Sequence, residues 1–308
     1  MRRPYVVLRV AVSIGLLAVL AWWLDLGTVM SRLAQMRPGW VLLAVAISVV
    51  QTAVLAWRWR FTAGCLGVDL SYRLAWREYY LSIFLNQVLP GGVVGDVSRA
   101  WRQARAQTRL REPTGPAVRA VIFERLSAQA VMTTVAVASL LVLPVTVNLG
   151  SGLVLFGSGA VAVLILVAIV VWTRRQASAQ SLWGQLLADL DAAHLRAPVF
   201  TAQLVSAAVV VGTYLAAYVM AARAVGVDTP LPVFLPLVAP VLMTMLIPVT
   251  VAGWGLREGT AAVLWGVVGL TAADGVLVSV AYGLLVLFGS LPGAVFLMSP
   301  GTTRRLSV

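Results

Sequence analysis

Hydrophobic positions in this chain come in long unbroken runs, not in the alternation of a strand or the narrow stripe of a surface helix. Such runs fall at about 7–24, 39–57, 121–143, 153–173, 199–222 and 276–298. About 20 consecutive apolar residues, wound as a helix, cross the hydrocarbon core of a bilayer, so each run predicts a transmembrane helix. Barrel strands would alternate instead. Two further apolar stretches, about 78–107 and 232–270, are interrupted, the first at Leu89-Pro90-Gly91-Gly92 and the second from Pro248 to Gly255. Proline removes a backbone donor and glycine loosens the helix, and in lipid such breaks persist only when buried in protein or lining a wet cavity. Both read as re-entrant helical hairpins, with Pro240 and Pro248 expected to kink or interrupt the second. The expected fold class is an all-α membrane protein of about six full transmembrane helices plus two broken hairpins, in one polytopic domain spanning 1–308.

Composition removes the soluble alternatives. The chain has 308 residues, 60% hydrophobic and 11% charged, against about 25% charged in a soluble domain. The 23 basic residues are all arginine and the net charge is +12. Their placement follows the positive-inside rule, which accounts for the charge without nucleic acid. With both termini cytoplasmic, only Arg32, Arg37 and Arg223 fall in outer loops. Arg125 and Arg257 lie within membrane segments, and the others, Arg58 and Arg99 included, fall in cytoplasmic stretches. The first apolar run follows Arg2-Arg3-Pro4, lacks a small-residue cleavage site and ends near Trp22 and Trp23, so it reads as a retained helix in the cytoplasmic membrane. The stretch 174–197 reads as a cytoplasmic linker with a surface helix. Cys65 and His194 are each the only residue of their type, so neither a disulfide nor a metal site is expected, and no cofactor. Nucleophile-elbow and Walker-type motifs are absent from the sequence, so no enzyme activity and no built-in ATPase are expected.

The two interruptions share a pattern. Pro90-Gly91-Gly92-Val93-Val94-Gly95-Asp96-Val97-Ser98-Arg99 and Pro248-Val249-Thr250-Val251-Ala252-Gly253-Trp254-Gly255-Leu256-Arg257 both read Pro-x4-Gly-x3-Arg, 158 residues apart. An acid stands near each arginine, Asp96 in the first and Glu258 in the second. Each half then reads as two spans, a hairpin and a span, entered from opposite sides. That predicts inverted repeats, approximately 1–147 and 150–300, with a site where their breaks meet.

Charge inside a membrane is costly, about 2.5–3.5 kcal/mol at the centre of a helix on insertion scales. Asp96 with Arg99, Glu124 with Arg125, and Arg257 with Glu258 therefore either line a polar cavity for a lipid headgroup or lie at the interface and snorkel out. Arginine suits phosphate because its planar fork binds two oxygens. Asn86 is placed to donate to freed carbonyls or to a ligand. Trp254 is a belt anchor or a cavity wall. Arg99, Arg102, Arg105 and Arg109 step along one face of a helix, as a topology signal or a surface for anionic lipid.

These motifs resemble those of the flippase-like, lysylphosphatidylglycerol synthase transmembrane-region family. The stretch Phe84 to Arg99 is similar to its N-x-x-L-P-G-x-x-G-G-D-x-x-R signature, with Val94 where a second glycine is common. Glu124-Arg125-Leu126 resembles its E-R element, and Pro248 to Gly259 its P-x-s-x-x-G-x-G-x-R-E-G element. The resemblance implies a multipass domain that moves or accommodates lipids: anionic or aminoacylated phospholipid, or polyprenyl-linked lipid. It implies a substrate site at Asn86, Pro90, Gly91, Gly92, Gly95, Asp96, Arg99, Glu124, Arg125, Pro248, Gly253, Trp254, Gly255, Arg257 and Glu258. Larger relatives carry a fused aminoacyl-transferase domain; none is read here, so synthase activity is not expected. The leading expectation is a lipid flippase or scramblase-like transporter, alone or as a homo-oligomer. The alternative is a non-catalytic membrane subunit supporting a separate lipid-modifying transferase. A headgroup-modifying enzyme using Glu124 or Glu258, and a small-solute transporter, rank behind both.

Overall fold

A proline in the first turn and a left-handed residue just past the last are strong helix boundaries, and they set the frame of this fold. The computed structural model describes residues 15, 19, 26–89, 92–142, 182–246 and 250–298. In chain order the helices are α1 (Leu26–Ala34), α2 (Pro38–Cys65), α3 (Tyr72–Val88), α4 (Val94–Arg109), α5 (Gly115–Val142) and α6 (Leu182–Leu190). They continue with α7 (Ala197–Ala224), α8 (Leu231–Met243), α9 (Leu256–Val267), α10 (Ala272–Ser290) and α11 (Pro292–Met298). The expected spans at 7–24, apart from residues 15 and 19, and at 153–173 lie outside the described residues, as do Pro90, Gly91 and Pro248.

Helices α2 and α7 are each 28 residues long and each begin with a proline in the first turn. Both end on a glycine in the left-handed region, Gly67 at φ 73° and Gly226 at φ 76°. The next amide then turns back into the helix: Val68 N donates to Ala63 O, and Val227 N to Ala222 O, each at 2.9 Å. The sequence Gly-Val-Asp recurs here at 67–69 and 226–228. A second matched closure ends α4 and α9. Glu112 N donates to Gln107 O at 3.0 Å and Leu270 N to Trp265 O at 2.9 Å, after Arg111 at φ 60° and Gly269 at φ 76°. The order long helix, broken hairpin, helix thus occurs twice, as α2 to α5 and α7 to α10.

The equivalent helices run in opposite directions. Arg37 N, at the start of α2, donates to Ala224 O at the end of α7 at 2.9 Å. Midway, Gln51 Nε2 meets Thr213 Oγ1 at 2.9 Å. Towards the end of α2, Arg58 reaches Gln203 O near the start of α7 at 2.8 Å.

Four helical segments are long and apolar enough to cross a membrane: Pro38–Cys65, Gly115–Leu140, Ala197–Ala224 and Ala272–Leu297. They coincide with four of the expected spans. Leu42, Val50, Val205 and Val209 point outward from α2 and α7, as lipid-facing positions do. The hairpins α3–α4 and α8–α9 are broken where expected, although α8 passes through Pro236 and Pro240 and tightens into a 3-10 turn only at Thr244–Leu246. An aromatic cluster of Tyr218, Phe234, Trp265 and Tyr282 fills the core of the second half, and Leu55, Trp59, Tyr79 and Val121 that of the first. The linker helix α6 continues into a π-helical turn, Asp191–Leu195, that buries Ala193 and His194.

Helices α3 and α4 cross at Gly95, where an added Cβ would lie 1.9 Å from Ser82 O. Backbone cannot yield as a flexible side chain does, so Gly95→Ala is expected to cost at least the roughly 1–3 kcal/mol typical of overpacking. Gly212 on α7 has nothing within 4 Å of the same position, and Gly212→Ala is expected to hold or raise stability, since alanine favours the helix. Thermal unfolding of both variants in detergent checks the contrast.

Candidate functional site

The first break turns α4 back along α3, and Asn86 holds the turn. Its Oδ1 accepts from Gly95 N at 2.7 Å and its Nδ2 donates to Asp96 Oδ2 at 3.0 Å. Asn86 therefore fixes the carboxylate that opens α4. Asp96 sits in the first turn of that helix, where the N-terminal dipole favours negative charge. Its Oδ1 accepts from Ser82 at 3.2 Å and from Arg99 Nη2 at 2.9 Å, and its Oδ2 takes Arg125 Nη2 at 2.5 Å.

Arg99 follows Asp96 by one helical turn and is fully buried. The same Nη2 also reaches Glu124 Oε2 at 3.2 Å. Its guanidinium lies between two rings, 4.5 Å from the Trp59 centroid and 4.1 Å from that of Tyr79, an arrangement that stabilises a desolvated cation. Tyr79 OH donates to Glu124 Oε2 at 2.8 Å. Glu124 is buried as well, and its second oxygen faces Arg58 Nε at 3.9 Å. Arg58 spends its remaining nitrogens on Gln203 O, Ser206 Oγ and Ser127 Oγ at 2.8, 2.6 and 2.8 Å.

Arg58, Trp59 and Tyr79 are absent from the residues expected at the site. Ending the second span near 57 had placed Arg58 in a cytoplasmic stretch. In the fold α2 continues to Cys65, which carries Arg58 inside the protein and fully buries it. The stop signal at Gly67 is the feature that would have found it. Arg99, also assigned to a cytoplasmic stretch, is likewise internal. The four-arginine stripe is consequently not one surface: Arg99 points inward, Arg102 pairs with Glu78 at 2.5 Å, and Arg105 lies over Trp101.

The second break repeats the theme with fewer charges. Glu258, in the first turn of α9, accepts from Gly255 N through Oε2 at 2.7 Å. Its Oε1 receives Arg257 Nη2 at 2.7 Å and Ser279 Oγ at 3.0 Å. Arg257 is buried beneath Trp254 and Tyr282, 5.2 and 5.3 Å from their centroids. Trp254 thus covers the arginine. Gly253 and Gly255, with φ of 81° and 89°, form the turn into α9.

Between the two breaks lies a cavity of about 180 Å³. Gly92 from the first break and Ala252 from the second both line it, and an added Cβ on Gly92 would stand 3.8 Å from Met245 O. Its polar lining includes Gln87, Arg125, Gln129, Tyr214 and Tyr282, and its apolar lining includes Leu55, Ile83 and Val211. The Arg125 side chain is 41% exposed, whereas those of Arg58 and Arg99 are 0% exposed. Asn86, Gly92, Glu124 and Arg125 line the cavity, Asp96 and Arg99 stand behind Arg125, and Arg257 and Glu258 form a separate buried cluster beside Tyr282. Among the described residues, no group of His, Cys, Asp and Glu has the makings of a metal site.

Outside the membrane segments, burial pushes the His194 imidazole down to about 4, with repulsion from Arg58 adding to the shift. Its ring meets Phe123 edge-on at 6.1 Å.

Compared with known families, residues 6–293 match the model described as Lysylphosphatidylglycerol synthase TM region. No curated protein matches the chain.

Two outcomes follow from this geometry. Arg99→Met removes the cation that Asp96 and Glu124 share in a buried ion pair, a change that typically costs about 3–5 kcal/mol; Arg125→Gln, open to the cavity, is expected to cost far less. Unfolding in detergent ranks them. The His194 pKa is lower in the folded state than its ordinary 6.5. The neutral ring's contribution is therefore complete above about 6.5 and declines as pH falls towards 4. His194→Phe is expected to flatten the fall in melting temperature across that window relative to wild type.

Proposed function

The chain belongs to the lysylphosphatidylglycerol synthase TM-region family, and from that premise we propose that it carries lipid headgroups across the cytoplasmic membrane as a flippase or scramblase-like transporter. The observation that carries this reading is the cavity ringed by both helix breaks, with one arginine open to it and apolar walls around it. A headgroup crossing a bilayer must exchange its hydration for fixed polar partners, while its tails remain in hydrocarbon at no comparable cost. Arg125 offers such a partner because its bond to Asp96 uses one nitrogen, Nη2, and an incoming phosphate oxygen can take another. Arg99, Arg58 and Glu124 then act as the fixed scaffold that keeps Asp96 and Arg125 in register.

In this reading the repeats are approximately 1–147 and 150–300, with both termini and the linker at 174–197 on the cytoplasmic side. Breaks that meet at mid-membrane between oppositely directed halves allow one half to rock against the other around a fixed site. A second reading draws on the family description, which ties this region to a synthase: the chain supports a separate lipid-modifying transferase without moving lipid itself.

Reconstitution into proteoliposomes with labelled anionic, aminoacylated and zwitterionic phospholipids separates the two. Headgroup movement above that of protein-free vesicles is expected, falling about tenfold or more in Arg125→Gln at unchanged fold. Folded protein that moves none of these lipids contradicts autonomous transport and leaves the subunit reading.

A further inference from the structure

We propose that the cavity selects a headgroup with a single net negative charge, a phosphodiester bearing small hydroxylated groups, and rejects headgroups with a net positive charge. The inference rests on the transport reading for its site and adds the substrate class.

Charge counting around the first break carries it. Three arginines, Arg58, Arg99 and Arg125, share two carboxylates, Asp96 and Glu124. One positive charge is left over. The cluster at the second break, Arg257 with Glu258, is neutral. An unbalanced charge inside a membrane protein is unfavourable unless a ligand or counter-ion meets it.

The excess is presented at one place. Arg58 and Arg99 have no exposed side-chain surface, while 41% of the Arg125 side chain is open. A phosphodiester carries one negative charge at neutral pH and neutralises the cluster. A phosphomonoester, whose second ionisation falls near pH 6, overshoots to net negative. Two oxygens on one phosphorus also match the guanidinium fork.

No carboxylate is offered to a cationic headgroup. Both Asp96 oxygens are taken by Ser82, Arg99, Asn86 and Arg125. Both Glu258 oxygens are taken by Gly255 N, Arg257 and Ser279. Glu124 Oε2 is held by Tyr79 and Arg99. Glu124 Oε1 lacks a hydrogen-bond partner, but it is buried and faces Arg58. What the cavity does offer is neutral: the amides of Gln87 and Gln129 and the phenols of Tyr214 and Tyr282. These bond hydroxyl groups. The volume, about 180 Å³, equals roughly six waters at their liquid share. That admits a phosphate with a small polyol.

The test uses the full chain in phosphatidylcholine nanodiscs, with bound lipid counted by native mass spectrometry. The added lipids are phosphatidylglycerol, phosphatidic acid and lysylphosphatidylglycerol, and glycerophosphoglycerol serves as a water-soluble phosphodiester. Phosphatidylglycerol is expected to be retained at least about tenfold over phosphatidic acid and lysylphosphatidylglycerol. Arg125→Gln is expected to abolish that preference and Arg125→Lys to restore part of it, with melting temperatures confirming that both fold. Equal or tighter retention of lysylphosphatidylglycerol or phosphatidic acid overturns the proposal, as does a preference that survives Arg125→Gln. Displacement of phosphatidylglycerol by an equal concentration of glycerophosphoglycerol overturns the lipid as the source of the phosphodiester. Selective binding without transport in proteoliposomes leaves the selectivity standing and removes the transport reading instead.

Discussion

Burying Arg99 is the constraint on which the first half of this molecule depends. An isolated guanidinium in a low-dielectric interior is prohibitively unfavourable, and pairing alone seldom compensates for lost hydration. The fold answers with four helices at once. Helix α4 supplies Asp96 one turn away, α5 supplies Glu124, and α2 and α3 supply the two rings that enclose the cation. Each of these partners needs the others. Glu124 is tolerable without solvent because Tyr79, Arg99 and Arg58 surround it, and Arg58 in turn ties α2 to α7. The network therefore fixes the relative positions of five helices, and the break between α3 and α4 is held by its outermost members, Asn86 and Asp96.

The second half achieves the same turn more cheaply. A single ion pair, Arg257 with Glu258, is covered by Trp254 and Tyr282 and joined to α10 through Ser279. The two halves share an order of elements, two helix closures and a reversed direction, yet the clusters at their breaks are electrically unequal: the first has one spare positive charge and the second none. The cavity between the breaks is correspondingly asymmetric: Glu124 and Arg125 of the first cluster line it, and Arg257 and Glu258 do not.

Much of this was legible in the sequence. Four of the six long apolar runs and both breaks lead to helices and hairpins among the described residues, because in a bilayer hydrophobic length and backbone satisfaction leave few alternatives. Asp96, Glu124 and Arg257 were conspicuous as charges in apolar surroundings. Arg58 was not, because a span cut at the hydrocarbon thickness ends just before it. The helix runs on to the glycine stop at Gly67, and a cation that reads as a loop residue becomes fully buried. Trp59 and Tyr79 escaped for a different reason: only tertiary packing turns them inward onto Arg99. The repeated Gly-Val-Asp after α2 and α7 was present in the sequence and would have corrected the first error.

The central claim is the proposal that the cavity bounded by both breaks binds a lipid headgroup and is exposed to each side of the membrane in turn as the halves rock around it. Gln129 lines that cavity from α5, and Cys65 is the single native cysteine. A Gln129→Cys variant on a Cys65→Ala background can therefore be probed with a membrane-impermeant thiol reagent in vesicles of each orientation. The account predicts labelling from both faces, slowed when phosphatidylglycerol is present. A thiol that reacts from neither face, in folded protein, contradicts it.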